Sequence, residues 1–250
     1  VDLVLISVKL WDTDEIARRV GPQVSEDATV ISLQNGVSKD NILRRYVPAE
    51  ALIGGVSYIS AAIASPGVVR HDGDLAKIVL GEFDGRRTAR VLRIFERFTS
   101  AGVDVELSSS ISEDIWKKFV FLVGLSSVTS ATRQPVGLLR SRERTRKLMR
   151  DAMAEVVQVG RARGIRLPAE YADQQIAFVD TLPEFMTSSM LTDLLRGNRL
   201  ELPWLGESVT DMAGQLGVPT PVNELLAAVL DPYVNGDSPG AADGWRVPTG

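Results

Sequence analysis

The sequence predicts an α/β sheet domain followed by an all-helical domain, and three observations predict it. Short apolar runs alternate with helical patterns up to residue 109. The run Ser108-Ser109-Ser110 ends that rhythm, and only helix-period patterns follow it. A tail rich in Gly, Pro, Asp and Ser begins at Asn235. Strands alternating with helices build an open, mostly parallel sheet. The expected divisions are 1–109 for the sheet domain, 110–234 for the helical domain and 235–250 for a disordered tail.

The elements follow in order. Val1-Asp2-Leu3-Val4-Leu5-Ile6-Ser7-Val8 is a nearly continuous strand-like run, the pattern of a parallel strand buried on both faces. Asp12 to Val20 reads as a helix, Ala28 to Leu33 as a second strand and Lys39 to Tyr46 as another helix. Ile53 to Ile63 and Val68 to Gly81 read as strands around the turn signal Ser65-Pro66-Gly67, so the sheet is expected to be mixed there. Arg87 to Ala101 reads as a helix and Val103 to Leu107 as a closing strand. Helices are then expected at Ser112 to Ala131, Glu143 to Arg163, Ala169 to Leu182, around Ser188, Pro203 to Gly214 and Val222 to Val234.

Composition removes several chemistries. The 250 residues hold no Cys and a single His, His71, which excludes thiol catalysis, disulfides and multi-histidine metal centres. His71 sits where a strand runs into a turn and is read as structural. Acid–base work then falls to Lys, Tyr, Asp or Glu. With 44% hydrophobic and 24% charged residues the chain can bury a full core. A net charge of −4 gives no reason to expect nucleic acid. No apolar stretch approaches the roughly 18 to 20 residues that cross a bilayer, and no signal-like segment is read, so a cytoplasmic location is expected.

Lys118 is the leading candidate for chemistry. It enters the apolar run Phe119-Val120-Phe121-Leu122-Val123-Gly124-Leu125, where an ammonium needs a partner or a task. At helical spacing Leu122 and Ser126 follow it on one face. Desolvation favours the neutral amine, which would ease proton donation near neutral pH. The alternative is a lysine whose stem lies along the core while its charge stays in water.

Two polar clusters follow apolar strands: Lys9 after the first and Gln34-Asn35-Gly36 after the second. Ligand crevices of parallel sheets lie at the carboxyl ends of strands, so both point to one place. Lys9 suits a phosphate or ribose edge, and Asn35 a ribose or nicotinamide, with Gly36 allowing close backbone approach. A plain turn and a solvated strand end would explain them equally. In the helical domain Ser189 precedes Glu201 by twelve residues, about 18 Å along one straight helix. Gly197-Asn198 and Pro203 predict a break between them. Capping roles for Ser188 or Ser189, and a first-turn role for Glu201, are the structural alternatives.

Val8-Lys9, Gln34-Asn35-Gly36, Ile115-Trp116-Lys117-Lys118, Pro135-Val136-Gly137, Ser188-Ser189-Met190, Glu201 and Gly217-Val218-Pro219 occur in this order. By their order and spacing the chain resembles the ketopantoate reductase family, from residue 1 to about 232. The resemblance implies a Rossmann-type NADP-binding domain over 1–109 and a helical substrate and dimerisation domain over 110–234. The implied reaction is NADPH-dependent reduction of 2-dehydropantoate to pantoate, in pantothenate biosynthesis. Lys118 would be the proton donor. Lys9, Asn35, Ala62 and Glu201 would contact NADP(H), Ser189 the substrate, and a homodimer is the implied assembly.

Two departures qualify the likeness. Where the family sets asparagines against substrate, this chain has Leu122, Ser126 and Val136, which suits a more apolar 2-oxo compound than 2-dehydropantoate. No G-x-G-x-x-G occurs either. A complete dinucleotide half would place it in roughly 70 further residues ahead of Val1. A reductase for another 2-oxo compound, or a non-catalytic remnant or dimerisation module lacking the nucleotide loop, are therefore the rival expectations.

Overall fold

A computed structural model of the chain describes residues 2–25 and 27–236, so the expected tail lies, from residue 237 on, outside the described residues. The chain divides into two compact units, Val1–Lys118 and Phe119–Gly250.

In the first unit β1 (Leu3–Ile6), β2 (Thr29–Ser32), β3 (Leu52–Ser65), β4 (Val68–Gly81) and β5 (Asp104–Leu107) form one sheet in that spatial order. β1–β2, β2–β3 and β4–β5 pair in parallel, whereas β3 and β4 form a long antiparallel hairpin. The mixed sheet is as expected: Pro66-Gly67 turns the hairpin, and Gly67 takes a φ of 78° that a side chain would resist.

Alternation across the strands sends neighbouring side chains to opposite layers. Val30 and Leu52 pack with Ala17 of α1 (Thr13–Val20) and Leu43 of α2 (Lys39–Leu43). Ile31 and Ile53 pack instead with Val91 and Ile94 of α3 (Ala89–Ser100). All four residues of β2 are buried, as expected of a strand covered on both faces. β1 differs, for only Ile6 is buried and Leu5 is exposed, because β1 is the edge strand. α2 also stops earlier than expected. Beyond Leu43 the chain tightens, with Arg45 N donating to Ile42 O and Tyr46 N to Leu43 O, before Pro48.

The long helix α4 (Ile111–Thr132) contributes its residues up to Lys118 to the first unit. There Ile111 and Ile115 pack on Val56 and Val79. Ile111 needs Gly54 beneath it, since a Cβ at that position would come within 2.6 Å of the isoleucine side chain.

The second unit is all-helical, as expected: the rest of α4, then α5 (Val136–Ser141), α6 (Glu143–Ala162), α7 (Tyr171–Thr181), α8 (Ser189–Leu195), α9 (Gly206–Leu216) and α10 (Pro221–Leu230). α6 is its axis and packs on α5, α7, α9 and α10. Its buried residues Met149, Ala152, Met153, Val156, Val159 and Gly160 recur at the helical period. Among the described residues α5 is the α-helix without a counterpart among the expected elements. Among the described residues no helix is long and apolar enough to cross a membrane.

Candidate active site

The polar groups of the first unit converge where β2 and β3 part. Register between these strands ends at Ile31 and Ile53, so the backbone beyond needs other partners. Side chains supply them. Ser57 Oγ donates to Leu33 O at 3.0 Å. Lys118 Nζ donates to Ser57 O at 2.6 Å and to Asn35 Oδ1 at 2.9 Å, with the ring of Tyr58 5.7 Å away. Lys118 is half-buried, so this amine is held by residues 83 and 61 positions away in sequence rather than left in bulk water.

Asn35 is aimed by its neighbours. Gly36 follows at a φ of 78°, the left-handed region that favours glycine. Gln34 is buried. Its Nε2 donates to Val8 O and to Thr13 Oγ1, both at 2.8 Å, while its Oε1 accepts from Ser32 Oγ at 3.0 Å. The loop after β2 is thereby tied to the loop after β1, which carries Lys9. The two sequence clusters meet through Gln34, whose Nε2 also lies 3.5 Å from Lys9 O, while the Lys9 side chain is exposed with its amine 5.4 Å from the Trp11 ring.

Sequence reasoning missed several residues at this junction, Lys39 first among them. Lys39 is only 1% exposed, and its amine donates to Ser32 O and Gly55 O, each at 2.6 Å. Burial pulls its pKa below the ordinary lysine value, with the neighbouring Asp40 opposing. Burial likewise raises Asp40, against the pull of Lys39 and Arg44. Lysine is out of place in the first turn of a helix, where the dipole disfavours cations, and that misplacement was the only available signal. Tyr58 was missed too; burial, then Asp114 and Glu106, push its hydroxyl above the usual tyrosine range.

Of the other expected site residues, Ala62 lies on β3, half-buried and paired with Arg70 of β4. His71 is exposed and its Nε2 donates to Leu75 O at 2.8 Å. In the second unit Leu122 is half-buried on α4. Ser126 is fully buried with no hydrogen-bond partner for its hydroxyl among the described residues. Val136 is fully buried and its N–H donates to Met186 O at 2.9 Å. Ser188 caps α8, its Oγ accepting from Leu191 N at 3.0 Å and sharing a 2.8 Å bond with Thr129 Oγ1. Ser189 is the exposed first residue of that helix. The expected break follows: α8 ends at Leu195, Gly197 takes a φ of 66°, and Glu201 is buried just ahead of a short 3-10 turn, Leu202–Trp204.

Among the described residues no group of three or more His, Cys, Asp or Glu could hold a metal ion. The first unit is an α/β sheet domain in which an amine and an amide meet where two parallel strands part, the kind of place at which such sheets bind ligands. Comparison with known proteins makes this specific. Residues 1–85 match the family described as ketopantoate reductase PanE/ApbA, and residues 110–234 match its C-terminal part. The chain belongs to the ketopantoate reductase family. The 2-dehydropantoate 2-reductase of Halobacterium salinarum is 31% identical over 231 residues, which are 92% of this chain and 75% of that protein. A solved PanE/ApbA family ketopantoate reductase from Ralstonia eutropha JMP134 is 32% identical, with a TM-score of 0.83 over 93% of this chain and 76% of that one. D-mandelate dehydrogenase, solved with NADH and anilino(oxo)acetate, shares the fold at 20% identity, with a TM-score of 0.85 over 94% of this chain and 76% of its own.

Proposed function

We propose that this protein reduces the C2 carbonyl of a 2-oxo acid at the expense of NADPH, with 2-dehydropantoate as the first candidate substrate and pantoate as its product. The observation that carries the reading is the Lys118 amine, fixed by Asn35 Oδ1 and Ser57 O where β3 parts from β2. When bound, a reduced nicotinamide supplies hydride. The residues of the first unit suit such a cofactor: Lys9 is an exposed cation for a phosphate or ribose edge, and Gly36 has no Cβ to block close approach of the backbone. Asn35 has an amide nitrogen left for ribose or nicotinamide while its oxygen holds Lys118. Ala62, Glu201 and Ser189 enter as cofactor and substrate contacts through family likeness, as does NADPH over NADH.

Lys118 does the proton work. Hydride added to a carbonyl carbon leaves negative charge on its oxygen, and a positioned ammonium stabilises that charge and then transfers a proton to it. The products are a neutral amine and a hydroxyl group, so the balance closes. Family likeness also supports a homodimer, which sedimentation of the purified protein would test.

A second reading concerns the substrate. Leu122 and Val136 offer no hydrogen bonds from their side chains, and Ser126 offers a single hydroxyl. Ser126 and Val136 are fully buried, so of the three half-buried Leu122 is the one a ligand could meet without rearrangement, and its apolar side chain favours a more apolar 2-oxo acid. A panel from 2-dehydropantoate to aryl 2-oxo acids, read as kcat/KM with NADPH and with NADH, separates the two. Lys118→Ala is expected to lower kcat by about 10²- to 10⁴-fold on whichever substrate is best. Turnover of the variant at the wild-type rate would overturn the proposed role of the lysine.

A further inference from the structure

Where two parallel strands separate, facing carbonyls lose their ladder partners and must be satisfied or solvated. Here the gap between β2 and β3 is bridged by the buried amine of Lys39, 2.6 Å from Ser32 O on one strand and 2.6 Å from Gly55 O on the other. Gly55 makes the bridge possible, because a Cβ there would come within 2.6 Å of the Ile31 side chain and 2.9 Å of Ser32 O.

The bridged strands carry the acceptors of Lys118. Asn35 lies three residues beyond Ser32, and Ser57 lies two residues beyond Gly55, the spacing that points successive carbonyls to the same strand edge. Lys39 therefore occupies one rung of the parted ladder and Lys118 the next. Ser57 Oγ, donating to Leu33 O, closes the frame between them.

We infer that Lys39 is a positioning residue: by fixing the separation of β2 and β3 it sets the distance between Asn35 Oδ1 and Ser57 O, and so the direction of the Lys118 amine. The inference rests on the proposed proton-donating role of Lys118. Burial of Lys39 and Asp40 drives both toward their neutral forms. A neutral amine has two N–H donors, and Lys39 faces two carbonyls.

The test compares Lys39→Met, which keeps the volume and removes the donors, with Gly55→Ala, which crowds the same gap without replacing either lysine. Each is expected to lower kcat about 10- to 100-fold, the scale of a misplacement near 1 Å, with little change in KM. In a Lys118→Ala background the same changes are expected to lower kcat by less than about twofold, because the group they position is gone. Equal losses in both backgrounds, or a folded Lys39→Met with wild-type kcat, would overturn the inference. Failure of both variants to fold would also overturn it, in favour of a purely structural role. An activity-free readout separates this from the parent reading. With 13Cε-labelled lysine, the Lys118 resonance is expected to move in Lys39→Met even if the wild type reduces no 2-oxo acid. An unmoved resonance sinks the positioning role whatever the activity.

Discussion

Asn35 couples the chemistry of the site to a backbone requirement. Its oxygen accepts from the Lys118 amine, and hydrogen bonds to charged groups contribute about 1.5–3 kcal/mol. Asn35→Ala is thus expected to cost roughly one to two powers of ten in kcat, measured at saturating substrate. Gly36 makes a separate contribution through its left-handed φ of 78°. Gly36→Ala should cost about 1–2 kcal/mol of stability, read as a lower melting temperature, and should also reduce turnover because relieving the strain swings Asn35 away. At this scale the sequence is informative where a residue clashes with its own neighbours. Lys118 stands out against an apolar run, and Asn35-Gly36 against a strand. Ser57 and Tyr58 do not stand out, because nothing local marks the carbonyl or ring that a distant lysine will meet.

Elements were legible where their signals are local, and capping in the second unit shows the boundary. Pro219 and Pro221 announce α10, but its Ncap residue, Thr220, makes no side-chain capping bond. The cap comes from α6 instead. Glu155 accepts from Val222 N and Asn223 N, each at 2.9 Å, and from Asn223 Nδ2 at 2.7 Å. A buried carboxylate thereby satisfies two N–H groups that every helix start leaves orphaned. Glu155→Ala strands those donors and is expected to destabilise the protein by about 2–4 kcal/mol. Glu155→Gln, which keeps one acceptor, should cost less, and denaturant melts of both would show the order. No pattern in the sequence links positions 155 and 222. The same is true of α5, a six-residue helix anchored by Val136 N to Met186 O and Gly137 N to Glu184 O. Gly137 has to be glycine there because a Cβ would lie 2.8 Å from the Glu184 backbone. The break between Ser189 and Glu201 was legible, since Gly197 acts through its own dihedral angles. The parting of β2 from β3 was not, since a register stops where distant side chains take over the ladder.

For the whole molecule the question is which of its many charges matter to stability. Most ion pairs, such as Arg150–Asp173 and Arg86–Asp84, are largely exposed, and such pairs contribute little. Glu82–Arg90 is different. Glu82 is buried, accepts from Arg90 Nε and Nη2 at 2.7 and 2.6 Å and from Thr88 Oγ1 at 2.5 Å, and so anchors the start of α3. Burial alone would raise its pKa, but the bonds from Arg90 and Thr88 outweigh burial and hold the carboxyl below the ordinary value of 4.5. A carboxyl depressed in the fold lends stability that is fully present above its unfolded pKa and is lost as pH falls through the folded one. Asp40 has the opposite sign: its raised pKa means that protonation on acidification favours the fold. The wild-type curve sums both, so the informative quantity is the difference between Glu82→Gln and wild type. That difference should be largest near neutral pH and shrink as pH drops below about 4.5, where the unfolded chain takes up a proton that folded Glu82, held at a lower pKa, still resists. Thermal melts of the two proteins from about pH 7 down to about pH 3 measure it, and a gap independent of pH would place the stabilisation of α3 in packing rather than in the Glu82 charge.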